Sequence, residues 1–367
     1  MAQQPIAPGH FFLPGPTEVR EPVLSAQAHP VIGHRGPGIK ALMADLQPGL
    51  REVFQTQRPV LISTSSATGF MEAGIRNAAR ARVLSLVNGA FSQRFADIAS
   101  ACGLQVDVLE VPWGRAHDPN QVADRLSSGR YDAVTVVHSE TSTGVLNPLR
   151  ALSEAVDTAT DTVMLVDSVT GVGGAEVRTD AWGLDYVLTG SQKALALPPG
   201  LAFSVASERV MARSEVAEGK GVYFDLQTFA KQIRNQQTPN TPAVTLLYAL
   251  QVQLQRIGEE GMEARWARHL SLRDRCADWV RSLREQDGVA ARVMAPDGFQ
   301  SPTVTCIELP SGESGPEVVA AMLDRGFVIG GGYGKLKSTH VRVGHMGDHT
   351  LEELDLLLDH LREVLSS

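Results

Sequence analysis

Between Pro59 and Ser207 the chain alternates short β-branched or apolar runs with helical periodicity, and this alternation restricts the fold more than any other feature. Strands are expected over residues 60–63, 83–87, 106–109, 133–137, 163–166, 186–188 and 201–205. Helical patterns lie between them over 69–80, 92–102, 119–126 and 149–159. Such spacing makes βαβ units, and hence an α/β fold with a mostly parallel central sheet under helices on both faces. Sheets of this kind collect ligands at the carboxyl ends of their strands. Polar groups stand at those ends: Ser65-Ser66, Asn88-Gly89, His138 to Thr143, and Asp167.

After Val205 the character changes. Residues 223–241 are polar and irregular, ending in Thr238-Pro239-Asn240-Thr241-Pro242. Long amphipathic helices are expected over 243–257 and 262–286. Strands over 303–309, 327–329 and 340–343 follow, with helices over 316–325 and 351–365. A chain of 367 residues suits one large and one smaller domain. The expected division is a large domain over 16–257 and a small C-terminal α+β domain over 258–367, with residues 1–15 packing near the small one.

Composition excludes several classes. With 43% hydrophobic and 20% charged residues the chain reads as an ordinary soluble protein. A net charge of −8 without a basic block argues against a nucleic-acid partner. No apolar run approaches the ~18 residues of a membrane helix. Residues 1–10 lack the charged-then-apolar pattern of a signal peptide, so the cytoplasm is the expected location. Cys102, Cys276 and Cys306 are scattered, which argues against a disulfide framework or a zinc site; no metal is expected.

The segment Thr189-Gly190-Ser191-Gln192-Lys193, followed by Pro198-Pro199-Gly200, places one lysine just beyond a strand that ends in a small-residue turn. The preceding strand ends in Asp167. Read singly, Lys193 is a solvated surface lysine and Asp167 a helix cap. Read together, an acid at one strand end and a lysine after the next are what a pyridoxal phosphate enzyme uses. The lysine forms a Schiff base with the cofactor and the acid keeps the pyridine nitrogen protonated.

Ser65-Ser66-Ala67-Thr68-Gly69 joins a strand to a helix and can offer N–H and O–H groups to a phosphate, or simply cap the helix. Phe91 follows another strand end and is either a stacking ring or a core residue. Thr141 lies in the patch His138 to Gly144, which is either ligand-facing or a solvated turn. Arg342 stands on an alternating strand, where an arginine grips a carboxylate or merely solubilises an edge.

In order and spacing, these segments resemble the class V aminotransferases. The matching stretches are Pro14-Gly15-Pro16-Thr17, the Ser65 to Glu72 loop, Glu140-Thr141-Ser142-Thr143-Gly144, Asp167-Ser168-Val169, Gly190-Ser191-Gln192-Lys193, Pro198-Pro199-Gly200 and Val341-Arg342-Val343-Gly344. Within that family the chain is most similar to the alanine/serine–glyoxylate (serine–pyruvate) branch of the fold type I pyridoxal phosphate enzymes. The resemblance implies the type I transferase fold, pyridoxal phosphate as cofactor, and small amino acids and 2-oxo acids as substrates. It implies that Lys193 carries the cofactor, Asp167 pairs with its ring nitrogen, Val169 packs under the ring and Phe91 stacks above it. Ser66, Ala67, Thr68 and Gln192 would bind phosphate, Thr141 would sit beside the phenolate oxygen, and Arg342 would hold the substrate α-carboxylate. Thr238, or Thr241, would reach the phosphate from a neighbouring subunit, which implies a homodimer with composite sites.

Other readings lie on the same fold. A phosphoserine aminotransferase would use a His-Arg pair such as His34-Arg35 to hold the substrate phosphate, with Lys335 and Lys337 adding charge near Arg342. An aspartate transaminase is a further alternative. A lyase or desulfurase would place His before the lysine and a reactive cysteine on a mobile loop. Here Gln192 precedes Lys193, and Cys306 sits in an apolar run.

Overall fold

The computed structural model describes residues 6–366; residues 1–5 of the expected 1–15 segment, half of the signal-peptide region, and Ser367 lie outside them. The strands are β1 (Phe11–Phe12), β2 (Leu61–Ser63), β3 (Arg82–Val87), β4 (Gln105–Glu110), β5 (Ala133–Val137), β6 (Ser139–Glu140) and β7 (Val145–Leu146). They continue with β8 (Val163–Asp167), β9 (Tyr186–Gly190), β10 (Ala202–Ala206), β11 (Arg292–Val293), β12 (Thr305–Glu308), β13 (Val328–Gly331) and β14 (His340–Val343).

The large sheet has the order β2-β10-β9-β8-β5-β3-β4. Its members are the strands expected between Pro59 and Ser207. Strands β4, β3, β5, β8 and β9 pair in parallel, and only β10 runs against its neighbours β9 and β2. Every residue of β5, β8 and β9 is buried. Successive side chains point to opposite faces, so both faces are covered. The edge strand β4 instead mixes exposed and partly buried positions.

Two connecting helices begin earlier than their apolar periodicity suggests, at Ala67 and Ala90. The shift matters, because it puts Ser66 and Gly89 at the N-cap positions beside the strand ends.

The expectation of an irregular 223–241 is corrected: Leu226–Arg234 is helical. Its apolar stripe is short, with Leu226, Phe229, Ala230 and Ile233 buried at helical spacing, and Asp225 caps it by accepting from the Gln227 N–H. Surrounding polar residues mask that stripe in the sequence. A helix over Pro37–Phe54, absent from the expected elements, buries Ile39, Leu42, Met43, Leu46, Leu50 and Val53.

A second sheet, β1-β13-β14-β12-β11, belongs to the C-terminal region, and the N-terminal β1 joins it in parallel with β13. Its core includes Ile307, Val341 and Val343 with Leu354, Leu357, Leu358 and Leu361 of the Leu351–Leu365 helix. The Met262–Gln286 helix spans both cores: Met262 and Trp266 pack in the large one, Leu272, Cys276, Trp279 and Leu283 in the small one. No helix among the described residues is long and apolar enough to cross a membrane.

Candidate active site

The parallel strands deliver their carboxyl ends to one edge of the large sheet. There β8 ends in Asp167, paired in register with Leu188 of β9, and β9 leads through Gly190 to Lys193. The lysine sits in a tightly tied turn. The Ser191 N–H donates to the Leu201 carbonyl (2.9 Å), the Ser191 hydroxyl to the Pro198 carbonyl (2.7 Å), and the Ala196 N–H to the Lys193 carbonyl (2.8 Å). Arg265, almost wholly buried, donates to the Ala194 carbonyl (2.8 Å) and pairs with Asp348 (3.0 Å). One guanidinium thus ties the lysine turn to the C-terminal region.

The N-terminal segment crosses over the lysine. The Thr17 N–H donates to the Gln192 carbonyl (3.0 Å), and Lys193 Nζ donates to the Pro14 carbonyl (2.5 Å). Gly15, at φ +107°, passes so close that a Cβ would run into the Lys193 side chain.

Burial and charge tune this pair toward each other. Burial pulls the Lys193 amine down to about 8; Arg342 and Arg94 add to this, while Asp167 opposes it. Burial pushes the Asp167 carboxyl up to about 7, against the N–H bond from Val169 (2.8 Å), with Glu140 raising it further. Asp167 Oδ1 takes that bond; no hydrogen bond to Oδ2 is found among the described residues. Val169 is half-buried beside it, and its carbonyl accepts from Thr189 (3.1 Å).

The Ala67–Ala78 helix opens at the same edge. Ser66 occupies the N-cap without making a side-chain capping bond, so its hydroxyl is not spent on the helix. The Ala67 and Thr68 N–H groups have no intrahelical acceptor. A Cβ built on Gly190 would lie 3.3 Å from Ala67 Cβ and 2.9 Å from Gln192 Oε1, so Ala67 and Gln192 bound one small space.

Phe91 stands in the first turn of the Ala90–Ala101 helix. Its ring centroid is 5.2 Å from that of Tyr333, and the Arg94 guanidinium lies 5.0 Å from it. Thr141 is buried, its hydroxyl 3.2 Å from that of Thr170. Arg342 donates through Nε to the Gly331 carbonyl (2.8 Å) and through Nη1 to the Thr141 carbonyl (3.2 Å). Its Nη2 makes no hydrogen bond among the described residues, which leaves donors for a carboxylate.

Four expected residues lie apart from this group in a single chain. Thr238 is buried and donates to the Asn240 carbonyl (2.7 Å), and Thr241 is exposed. No hydrogen bond among the described residues joins either to Lys193, Asp167 or residues 66–68. Arg35 clamps the Thr238 loop, donating to the carbonyls of Thr238 (2.8 Å) and Pro239 (3.0 Å) and to Gln237 (3.3 Å). No hydrogen bond among the described residues joins His34, its neighbour, to Arg342. Arg94, Gly15 and Glu140, which sequence reasoning did not single out, also meet here, beside Tyr333. Two of them lay inside recognised stretches, but only the folded chain assigns them contacts.

Cys276 and Cys306 are buried and their thiols pushed up to about 12, which removes them as nucleophiles. A separate cavity of about 620 Å³, lined by Trp182, Trp266, Leu270 and Pro302, reaches His138 but contains none of the expected site residues. Convergent polar groups with shifted pKa values mark the site better than cavity size does.

Comparison with known proteins agrees with this geometry. The family model described as aminotransferase class V matches residues 23–332. The chain is 36% identical over 343 residues to the soluble hydrogenase small subunit of Synechococcus sp., covering 92% of this chain and 88% of that one. It is 33% identical over 358 residues to the serine–glyoxylate aminotransferase of Arabidopsis thaliana, covering 95% and 87%. The solved structure of alanine–glyoxylate aminotransferase from Nostoc sp. superposes with a TM-score of 0.91 at 30% identity, covering 100% of this chain and 97% of that one. With its lysine, acid and arginine gathered at the strand ends of this fold, the chain belongs to the class V aminotransferases and is a transaminase.

Proposed function

We propose that the protein uses pyridoxal phosphate to move the amino group of a small amino acid, alanine or serine, to a 2-oxo acid such as glyoxylate or pyruvate. The observation that carries this reading is the buried pair Lys193–Asp167, with Arg342 close enough to depress the lysine. The residues fit the cofactor. A lysine held near neutrality, an aspartate oxygen without a hydrogen-bond partner among the described residues, and a helix N-terminus with an unspent hydroxyl match its aldehyde, ring nitrogen and phosphate. When bound, the cofactor supplies an electron-withdrawing ring that takes up charge from the substrate Cα.

In this reading Asp167 holds a proton at the ring nitrogen, Lys193 moves a proton at Cα, and Arg342 receives the α-carboxylate. Phe91 and Val169 would hold the ring, Thr141 would serve its phenolate oxygen, and Ser66, Ala67, Thr68 and Gln192 would hold the phosphate. Thr238 or Thr241 reaches that phosphate from a second copy of the chain. Sedimentation velocity should return twice the 39.4 kDa chain mass; a monomer would remove Thr238 and Thr241 from the site.

Arg35 is committed to the Thr238 loop, and Lys335 lies 4.4 Å over the Trp113 ring, so neither favours a phosphorylated donor. The Lys193–Asp167 pair likewise favours amino transfer over the chemistry in the name of the Synechococcus relative. The test is a half-reaction. The loaded protein is mixed with alanine, serine, aspartate or phosphoserine, with no oxo acid, and its visible absorbance followed. Loss of the band at low concentrations of alanine or serine is expected; preferential loss with phosphoserine would overturn the donor assignment.

Two further outcomes follow from the charges. Because the neutral amine is the nucleophile, capture of free pyridoxal phosphate by the apoprotein should accelerate as pH rises through about 8, well below the ordinary lysine range. Stopped-flow absorbance across pH 6–11 reads this, and a midpoint near ~10.4 would refute it. Asp167 keeps its proton in the fold up to about 7, whereas its ordinary value is 3.8, so this group costs the apoprotein stability as pH rises between the two. Asp167→Asn should therefore stabilise the apoprotein by about 1–4 kcal/mol at pH 8. The same change should slow amino transfer at least ~10²-fold. Thermal melts and steady-state rates test the opposite signs.

A further inference from the structure

Glu140 is a wholly buried carboxylate, and no basic side chain among the described residues pairs with it. Its oxygens instead collect neutral donors from two loops. Oε1 accepts the Phe91 N–H (3.3 Å), the Ser142 N–H (3.2 Å) and the Ser142 hydroxyl (2.6 Å). Oε2 accepts the Ser92 N–H (2.9 Å) and the Ser92 hydroxyl (2.9 Å). Two of these donors are N–H groups in the first turn of the Ala90–Ala101 helix, where a negative charge is favoured.

The arrangement is closed and tight. The Ser92 hydroxyl also accepts the Asn88 and Gly89 N–H groups (3.0 Å each), and the Ser142 hydroxyl accepts the Ala90 N–H (3.0 Å). A Cβ at Gly89 would collide with Glu140 Cγ, so the loop backbone lies directly against the carboxylate. The loop on one side carries Phe91. The loop on the other carries Thr141, whose carbonyl anchors Arg342 Nη1 (3.2 Å).

We propose that Glu140 is a positioning residue for cofactor and substrate. Its carboxylate locks the Phe91 loop to the Thr141–Ser142 loop, and so fixes the ring-bracketing face relative to the carboxylate-gripping arginine. This rests on the cofactor reading above. A carboxylate suits the task because fixed N–H donors face both of its oxygens. The isosteric amide would turn one oxygen into a donor aimed at donors.

The test compares the loaded wild-type protein with Glu140→Gln and Ser142→Ala. The second variant removes the Ala90–Ser142 link between the loops and one bond to the carboxylate while keeping the charge, and decides the matter if Glu140→Gln does not fold. The readouts are visible circular dichroism per bound cofactor, the rate of cofactor release into a trap, and the melting temperature of the apoprotein. Release is expected to quicken at least ~10-fold in Glu140→Gln and ~3-fold or more in Ser142→Ala, the scale of lost hydrogen bonds to a charged group. The dichroism per bound cofactor is expected to fall in both. A merely structural role would lower the melting temperature but leave dichroism and release at wild-type values in any variant that folds, and that result overturns the proposal. If the wild-type protein itself takes up no pyridoxal phosphate, the cofactor reading fails, and the proposal with it.

Discussion

Replacing Lys193 with alanine is expected to abolish both the visible absorbance of the loaded protein and amino transfer, with the rate falling at least ~10⁴-fold. No neighbouring group stands in for the amine. The chain has six lysines, and of the two that precede Arg342 in the sequence, Lys335 and Lys337, Lys335 is engaged with Trp113. The fold should tolerate the change, since the turn is tied by Ser191, Ala196 and Arg265 through backbone carbonyls rather than by the lysine side chain. Absorbance spectra, steady-state rates and far-UV circular dichroism measured together separate loss of chemistry from loss of structure. Normal turnover by a folded Lys193→Ala protein would remove the residue from the mechanism.

Arg342→Ala is expected to weaken binding of both the amino-acid donor and the oxo-acid acceptor by about 2–5 kcal/mol, roughly 30- to 5,000-fold in KM. Both substrates carry the α-carboxylate, so both suffer, whereas a side-chain contact would affect one. The arginine is preorganised: Nε and Nη1 are held by the Gly331 and Thr141 carbonyls, and the guanidinium lies 5.5 Å from the Tyr333 ring centroid. Removing it also takes away a cation that depresses Lys193, so the midpoint for cofactor capture should move up from about 8. An unchanged KM for either substrate would place the carboxylate site elsewhere.

The central sheet was legible because β5, β8 and β9 are buried on both faces and read as continuous apolar runs. Lys193 and Asp167 stood out as candidates because each follows such a run. The Leu226–Arg234 helix was not, since its four-residue stripe is short and set among polar neighbours. The role of Arg35 was hidden for another reason. A His-Arg dipeptide fits a ligand grip and a loop clamp equally well, and only the folded chain shows the three bonds from Arg35 to residues 237–239. Glu140 shows the same limit, because its partners Phe91 and Ser92 lie 49 and 48 residues away in sequence.

The most direct measurement is reduction of the loaded protein with borohydride, followed by peptide mass spectrometry. One stoichiometric pyridoxal phosphate adduct on Lys193 is the expected result. An adduct on another lysine, or none, would contradict the assignment of the Lys193–Asp167 pair as the cofactor site.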